Sequence, residues 1–211
     1  MEKKERIKLI IAAAINYIVF GLVTACVCTF IGYLLRGSKD NRFIYYTNIS
    51  NIAVALFSLA NGILLTISII KGKMFIPKYF SIGKFMALGM TSLTFVVVLF
   101  VLAPITSFYD MYSNVKFFTH LIVPVISLVS YLLLEEKTIF EWKYTFIGLV
   151  PPTIYSIVYS INVVGLKTWP DIYQINSQGI WYVFMIATLI IAFGVCQGLY
   201  FAKRAINKSR Q

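Results

Sequence analysis

The chain is short of charge and has almost no histidine. Only 13% of its 211 residues are charged, and there is one histidine, His120. An ordinary soluble domain carries about 25% charged residues and is about 45–50% apolar. This chain is 59% apolar. A soluble fold of this length cannot hide so much apolar side chain in its core. Lipid can, by replacing water as the outer solvent.

Other absences narrow the chemistry. There are three cysteines, Cys26, Cys28 and Cys196, and all fall inside apolar blocks. A Cys-x-Cys pair on a helix points its thiols about 200° apart, which is poor metal geometry. The cysteines therefore read as small apolar fillers, and no disulfide framework is expected. One histidine without nearby carboxylate or thiolate partners makes no usual ligand set, so neither metal nor cofactor is expected. Paired carboxylates, a Gly-rich phosphate loop and a Gly-x-Ser-x-Gly elbow are all missing. Asp40, Asp110 and Asp171 are expected in solvated loops.

What is present is a series of apolar blocks of spanning length. They lie at about 9–35, 45–70, 84–104, 116–134, 144–164 and 178–202, and each can cross a hydrocarbon core of about 30 Å. The expected fold is an all-α bundle of six transmembrane helices forming a single domain over residues 1–211. The first block runs well past the 7–15 apolar residues of a cleavable signal, so an uncleaved first helix is expected. Pro151-Pro152 in the fifth block should kink it.

The net charge of +11 could suggest nucleic acid. The basic residues instead sit between and outside the apolar blocks, where lipid head groups lie. No nucleic-acid partner is expected. Lys3, Lys4, Arg6, Lys8, Lys71, Lys73, Lys78, Lys84, Lys137, Lys143, Lys203, Arg204, Lys208 and Arg210 fall on one side. Arg36, Lys39, Arg42, Lys116 and Lys167 fall on the other. By the positive-inside rule both termini are expected in the cytoplasm.

Polar side chains in a span face the bundle interior or a cavity. Thr47, Ser50, Asn51, Ser58 and Asn61 recur at helical spacing and share one face of the second span. Interhelical hydrogen bonding is the expected role of Ser58 and Asn61. His120 opens the fourth span and is expected at a depth similar to Thr47. Tyr155, Tyr159 and Asn162 lie toward the same outer end of the fifth span.

Three segments carry a family likeness. They are Tyr45-Tyr46-Thr47-Asn48-Ile49-Ser50-Asn51, Thr119-His120-Leu121-Ile122-Val123-Pro124, and the loop Gly165-Leu-Lys-Thr-Trp169-Pro170-Asp171-Ile-Tyr173. On these segments the chain resembles the androgen-induced and androgen-dependent membrane hydrolases and their six-span bacterial relatives. In that family the loop reads closer to Tyr-Pro-Phe-Leu; here it reads Pro170-Asp171-Ile172-Tyr173. The resemblance implies a threonine nucleophile at Thr47 and a histidine base at His120. It implies fatty acid esters as substrates, fatty acid esters of hydroxy fatty acids in the animal members. It also implies a bacterial plasma membrane, with membrane lipids and acyl esters as partners; the expected topology puts the site near the outer leaflet.

In the mechanism expected from these roles, Asn48, Asn51 or Tyr159 supplies the oxyanion donors. Tyr155, Asn162 and Trp169 complete the candidate substrate-binding set. An acyltransferase would use the same acyl-threonine with an alcohol as acceptor. Two other classes compete: a small-molecule or lipid transporter, and a non-enzymatic membrane scaffold. Against the transporter, no ionisable residue is expected at mid-membrane depth and no inverted repeat is apparent.

Overall fold

The computed structural model describes residues 1–38, 41–135, 141–176 and 179–209. Lys39, Asp40, Lys137 and Arg210 lie outside the described residues. Among the described residues six helices are long and apolar enough to cross a membrane: α1 (Lys3–Leu35), α2 (Tyr46–Lys71), α3 (Lys78–Ile105), α5 (Val115–Leu134), α6 (Trp142–Gly165) and α7 (Trp181–Lys208). A short helix, α4 (Phe108–Met111), sits between α3 and α5. No strand occurs among the described residues. The expected six-helix membrane bundle is therefore the observed fold, and each expected block falls within or close to its helix. With six spans, both termini lie on one face, here called the terminal face.

The helix ends follow local chemistry. α2 stops at Gly72, whose φ of 66° favours a residue without Cβ. Pro77 precedes α3, where its missing N–H costs nothing. α4 is capped by Ser107, whose side chain accepts from the Asp110 amide.

α3 is the central helix. Its Ile82, Phe85 and Leu88 pack with Tyr131 of α5 and with Cys196, Leu199 and Tyr200 of α7. Its Ala87 joins a second cluster with Val19 and Val23 of α1, Val54 and Ala55 of α2, and Val123 of α5. A third cluster sets Leu9, Ala12 and Ala13 of α1 against Leu65 of α2. The outward surfaces remain apolar, as at Ile18, Leu56, Phe100, Ile154 and Ile190, all exposed.

Without a hydrophobic drive between helices in lipid, close packing and hydrogen bonds must hold the bundle. Small residues make that possible. A Cβ on Gly148 would lie 2.5 Å from the Cys196 sulfur, and one on Gly89 would lie 3.2 Å from it. Cys196 thus fills a notch between α3 and α6, a filler role that matches expectation.

The prolines change helix type. In α5 the turn Phe118–Ile122 is π-helical and the α-helix resumes at Val123 with Pro124 in its first turn. In α3 the π-turn Val98–Leu102 likewise precedes Pro104. A proline ring clashes with the carbonyl four residues back, which for Pro124 is that of His120. The wide turn relieves that clash. In α6 the residues Trp142–Leu149 wind as a 3-10 helix and the α-helix starts at Val150, so Pro151 and Pro152 lie in its first turn. The kink expected there takes the form of a change of winding.

The polar face of α2 points inward: Ser50, Asn51, Ser58 and Asn61 are all buried. Ser50 shares a hydrogen bond of 3.0 Å with Thr94 of α3, and the Thr91 hydroxyl donates to the Ser50 carbonyl. Two lysines depart from expectation. Lys84 and Lys203 do not reach head groups; they are 5% and 4% exposed. α3 begins at Lys78, so Lys84 lies about 9 Å inside the helix rather than at its boundary. Lys203 turns its ammonium onto the carbonyls of Leu132 and Glu135 at 3.5 and 3.2 Å, and onto that of Tyr131, at the end of α5. Of the basic residues counted toward the cytoplasm, twelve remain once Lys84 and Lys203 are removed, against five.

Candidate functional site

The face opposite the termini gathers the residues singled out by sequence. Thr47 lies in the first turn of α2, half-buried. Its carbonyl accepts from the Ser50 hydroxyl at 2.9 Å and from the Asn51 amide at 2.7 Å. The same amide nitrogen donates to the carbonyl of Thr119 in α5 at 3.0 Å. The two carbonyls are therefore roughly 6 Å apart at most, because both bond one nitrogen. Asn51 thus ties the turn that carries Thr47 to the turn that carries His120. Among the described residues, the Thr47 hydroxyl makes no hydrogen bond of its own.

His120 is buried within the π-turn of α5. Its Nδ1 lies 2.7 Å from the Met111 carbonyl at the end of α4. A carbonyl only accepts, so Nδ1 carries the proton and the neutral ring keeps its lone pair on Nε2. The ring meets Tyr112 edge-on, with centroids 6.5 Å apart. Tyr112 stacks in turn on Phe108. The Tyr112 hydroxyl is buried without a hydrogen-bond partner among the described residues, and burial pushes its phenol above the ordinary value. It therefore stays a donor at neutral pH. Sequence reasoning passed over α4 because four residues carry too little periodicity to read.

The other candidates form a neighbouring aromatic platform. Tyr155 stacks on Tyr159 at 5.7 Å and meets Tyr46 at 5.0 Å, while Tyr159 also packs on Trp169 and Tyr173. Their polar groups hold the loop after α6 and the segment before α2. The Tyr155 hydroxyl donates to the Ile44 carbonyl at 3.0 Å, and the Tyr173 hydroxyl accepts from the Tyr46 amide at 3.1 Å. Asn162 takes the Thr168 hydroxyl on its side-chain oxygen at 2.7 Å. Asp171, expected in solvent, is half-buried and accepts from the amides of Ile175 and Asn176, each at 2.9 Å. Asn48 donates to the Arg42 carbonyl at 2.7 Å. Both amide hydrogens of Asn51 go to the carbonyls of Thr47 and Thr119, so it has none left for an oxyanion. Tyr155, Tyr159, Asn162 and Trp169 are thus structural neighbours of the Thr47 turn, joined to it through Tyr46.

A second polar centre lies toward the terminal face. The Lys84 ammonium donates to both Glu135 carboxylate oxygens at 2.6 Å and to Asn16 at 2.8 Å. Asn16 and Ser130 donate to the Glu135 Oε1 at 3.1 and 2.9 Å. This pair places two ionisable side chains in the packed interior near the terminal face, away from the mid-membrane depth at which none is expected. The sequence signal existed: Lys84 sits six positions inside the helix that Pro77 starts. Charge counting by loop assigned it outside.

Comparison with family models, with curated proteins and with solved structures yields no match for this chain.

Proposed function

We propose that this chain is an intramembrane ester hydrolase acting on fatty acyl esters, with Thr47 as nucleophile and His120 as base. The observation that carries the reading is the Nδ1 bond from His120 to Met111, which leaves Nε2 as the basic nitrogen. A hydroxyl nucleophile needs such a base, oriented by a third group. Here the third group is a backbone carbonyl rather than an acid.

In the proposed cycle His120 Nε2 takes the Thr47 proton as the hydroxyl oxygen attacks the ester carbonyl. The tetrahedral oxyanion collapses, the alcohol leaves with the proton from His120, and an acyl-threonine remains. Water then attacks with His120 again as base, releasing the fatty acid and restoring the threonine. The unpartnered hydroxyl of Tyr112, beside the His120 ring, is the best-supplied donor for the oxyanion. In the free protein the Thr47 hydroxyl and the imidazole are not hydrogen-bonded. Catalytic contacts of this kind commonly tighten only when substrate is bound.

The resemblance to the androgen-induced membrane hydrolases supports the same residue roles and suggests esters of hydroxy fatty acids. An alcohol in place of water at the second step would make the enzyme an acyltransferase. With both termini in the cytoplasm, the site faces the outer leaflet, from which an acyl chain enters sideways. The test is purified full-length protein, with Thr47→Ala and His120→Ala variants, against a panel of lipid esters. Fluorophosphonate labelling with mass spectrometry identifies the nucleophile. Full activity in either variant, or a label elsewhere, overturns the proposal.

One observation favours a second reading, a transporter. The buried Lys84–Glu135 pair, at the terminal end of the bundle, resembles the ionic groups that line substrate pathways in membrane proteins. Substrate flux in liposomes, with and without Thr47, separates the two.

A further inference from the structure

The Lys84–Glu135 pair borders a small cavity. Asn61 of α2, Ile76, Phe80, Ser81 and Lys84 around the start of α3, and Tyr131 and Glu135 at the end of α5 line it. Its volume is about 20 Å³, room for one water-sized group. Asn61 is 2% exposed, lines this space, and among the described residues has no partner for its amide nitrogen. An amide N–H left unpaired among apolar helices is costly, and a partner at that point removes the cost.

The chemistry of the partner follows from its neighbours. The Lys84 charge is met by Glu135, and its three protons go to Asn16 and to the two carboxylate oxygens. A charged ligand beside this balanced pair would face one like charge and gain little. The group must be neutral. Among the described residues Glu135 Oε1 takes three hydrogen bonds, from Lys84, Asn16 and Ser130, whereas Oε2 takes one, from Lys84. Oε2 therefore keeps acceptor capacity. One oxygen that accepts from Asn61 and donates to Glu135 satisfies both groups.

We infer that this cavity is a hydroxyl-binding site, holding one neutral O–H group between Asn61 Nδ2 and Glu135 Oε2. Two sources share that chemistry: a water molecule, and the hydroxyl end of a lipid alcohol whose chain leaves past Ile76 and Phe80. The site is separate from Thr47 and His120, which lie at the other end of the bundle, and it does not depend on their chemistry.

The experiment uses full-length protein in nanodiscs, wild type and Asn61→Leu. The leucine removes the donor and occupies the space. X-ray radiolysis oxidises aromatic side chains next to bound water, and exposed Tyr79 serves as the reference. Several-fold more oxidation of Phe80 and Tyr131 in wild type than in Asn61→Leu identifies a water. A straight-chain fatty alcohol bearing a diazirine provides the second arm. Crosslinking at Ile76 or Phe80 that is lost in Asn61→Leu identifies a lipid alcohol. If Tyr79 is oxidised while Phe80 and Tyr131 are not, and no crosslink forms there, the inference is overturned. That result needs only the wild-type protein, so it holds even if the variant fails to fold.

Discussion

The imidazole of His120 gives its Nδ1 proton to the carbonyl of Met111, 2.7 Å away. A four-residue helix outside the main spans therefore sets the tautomer of a residue inside one. If His120 is the base, its alanine variant should lose about 10²–10⁴-fold in ester turnover, the usual contribution of a positioned acid–base group. Thr47→Ala should lose activity at least as fully, whereas Thr47→Ser should retain a measurable part. Initial rates on purified protein, with unchanged helicity by circular dichroism, check this.

Asn51 bonds two carbonyls on different helices. Its replacement by leucine removes both bonds and leaves the Thr119 carbonyl short of a partner. We expect a loss of about 1–3 kcal/mol in stability, the cost of an unsatisfied buried group. Activity should fall with it, because the turns carrying Thr47 and His120 are no longer tied. Thermal unfolding in detergent and turnover on the same sample would show whether the two decline together.

The Cys196 notch makes a packing prediction. Gly148→Ala places a methyl against the sulfur, 2.5 Å from it before any shift, and should cost about 1–3 kcal/mol. Cys196→Ala in the same chain frees the space. The double variant should be more stable than Gly148→Ala alone, and a double-mutant cycle on melting temperatures measures the coupling. Additive effects would contradict a direct clash between the new methyl and the Cys196 sulfur.

Glu135 lies just past the last turn of α5. Burial pushes its carboxyl up, but the Lys84 charge and hydrogen bonds from Lys84, Asn16 and Ser130 outweigh that and leave it below the ordinary value. Its contribution to stability is therefore fully present above the unfolded-state value of about 4.3. It is lost as the pH falls through the lower folded-state value. Glu135→Gln should cost about 3–5 kcal/mol at neutral pH, because it strands the Lys84 ammonium. It should also remove that share of the acid sensitivity. Unfolding curves at several pH values test both points, and equal acid sensitivity in the two proteins would contradict the assignment.

Much of the fold could be read from hydropathy, because spanning length is a coarse property that survives errors of a few residues. The inward face of α2 was also legible: Ser50, Asn51, Ser58 and Asn61 recur at helical spacing, and all four are buried. What sequence could not give was how side chains are spent. Asn51 looks like a free donor until its two carbonyl partners are seen. Lys84 and Lys203 look like head-group charges because a linear reading assigns them to a loop and a tail, whereas both lie within helices and are buried there. Tyr112 carried no signal at all, since its place beside His120 depends on the turn made by α4. The proposed roles of Thr47 and His120 rest on a resemblance and on the Nδ1 bond that leaves His120 Nε2 basic.

The wide turn at Phe118–Ile122 has one more consequence. Each residue of an α-helix advances by about 100°, so a turn that accommodates one extra residue shifts the angular phase of everything on one side of it. His120 therefore faces a direction that a regular helix with the same lower half would not give it. Restoring ordinary winding by Pro124→Ala would alter no group of the proposed chemistry. It would still turn the imidazole away from Met111, as one misplaced tooth shifts the timing of a gear train.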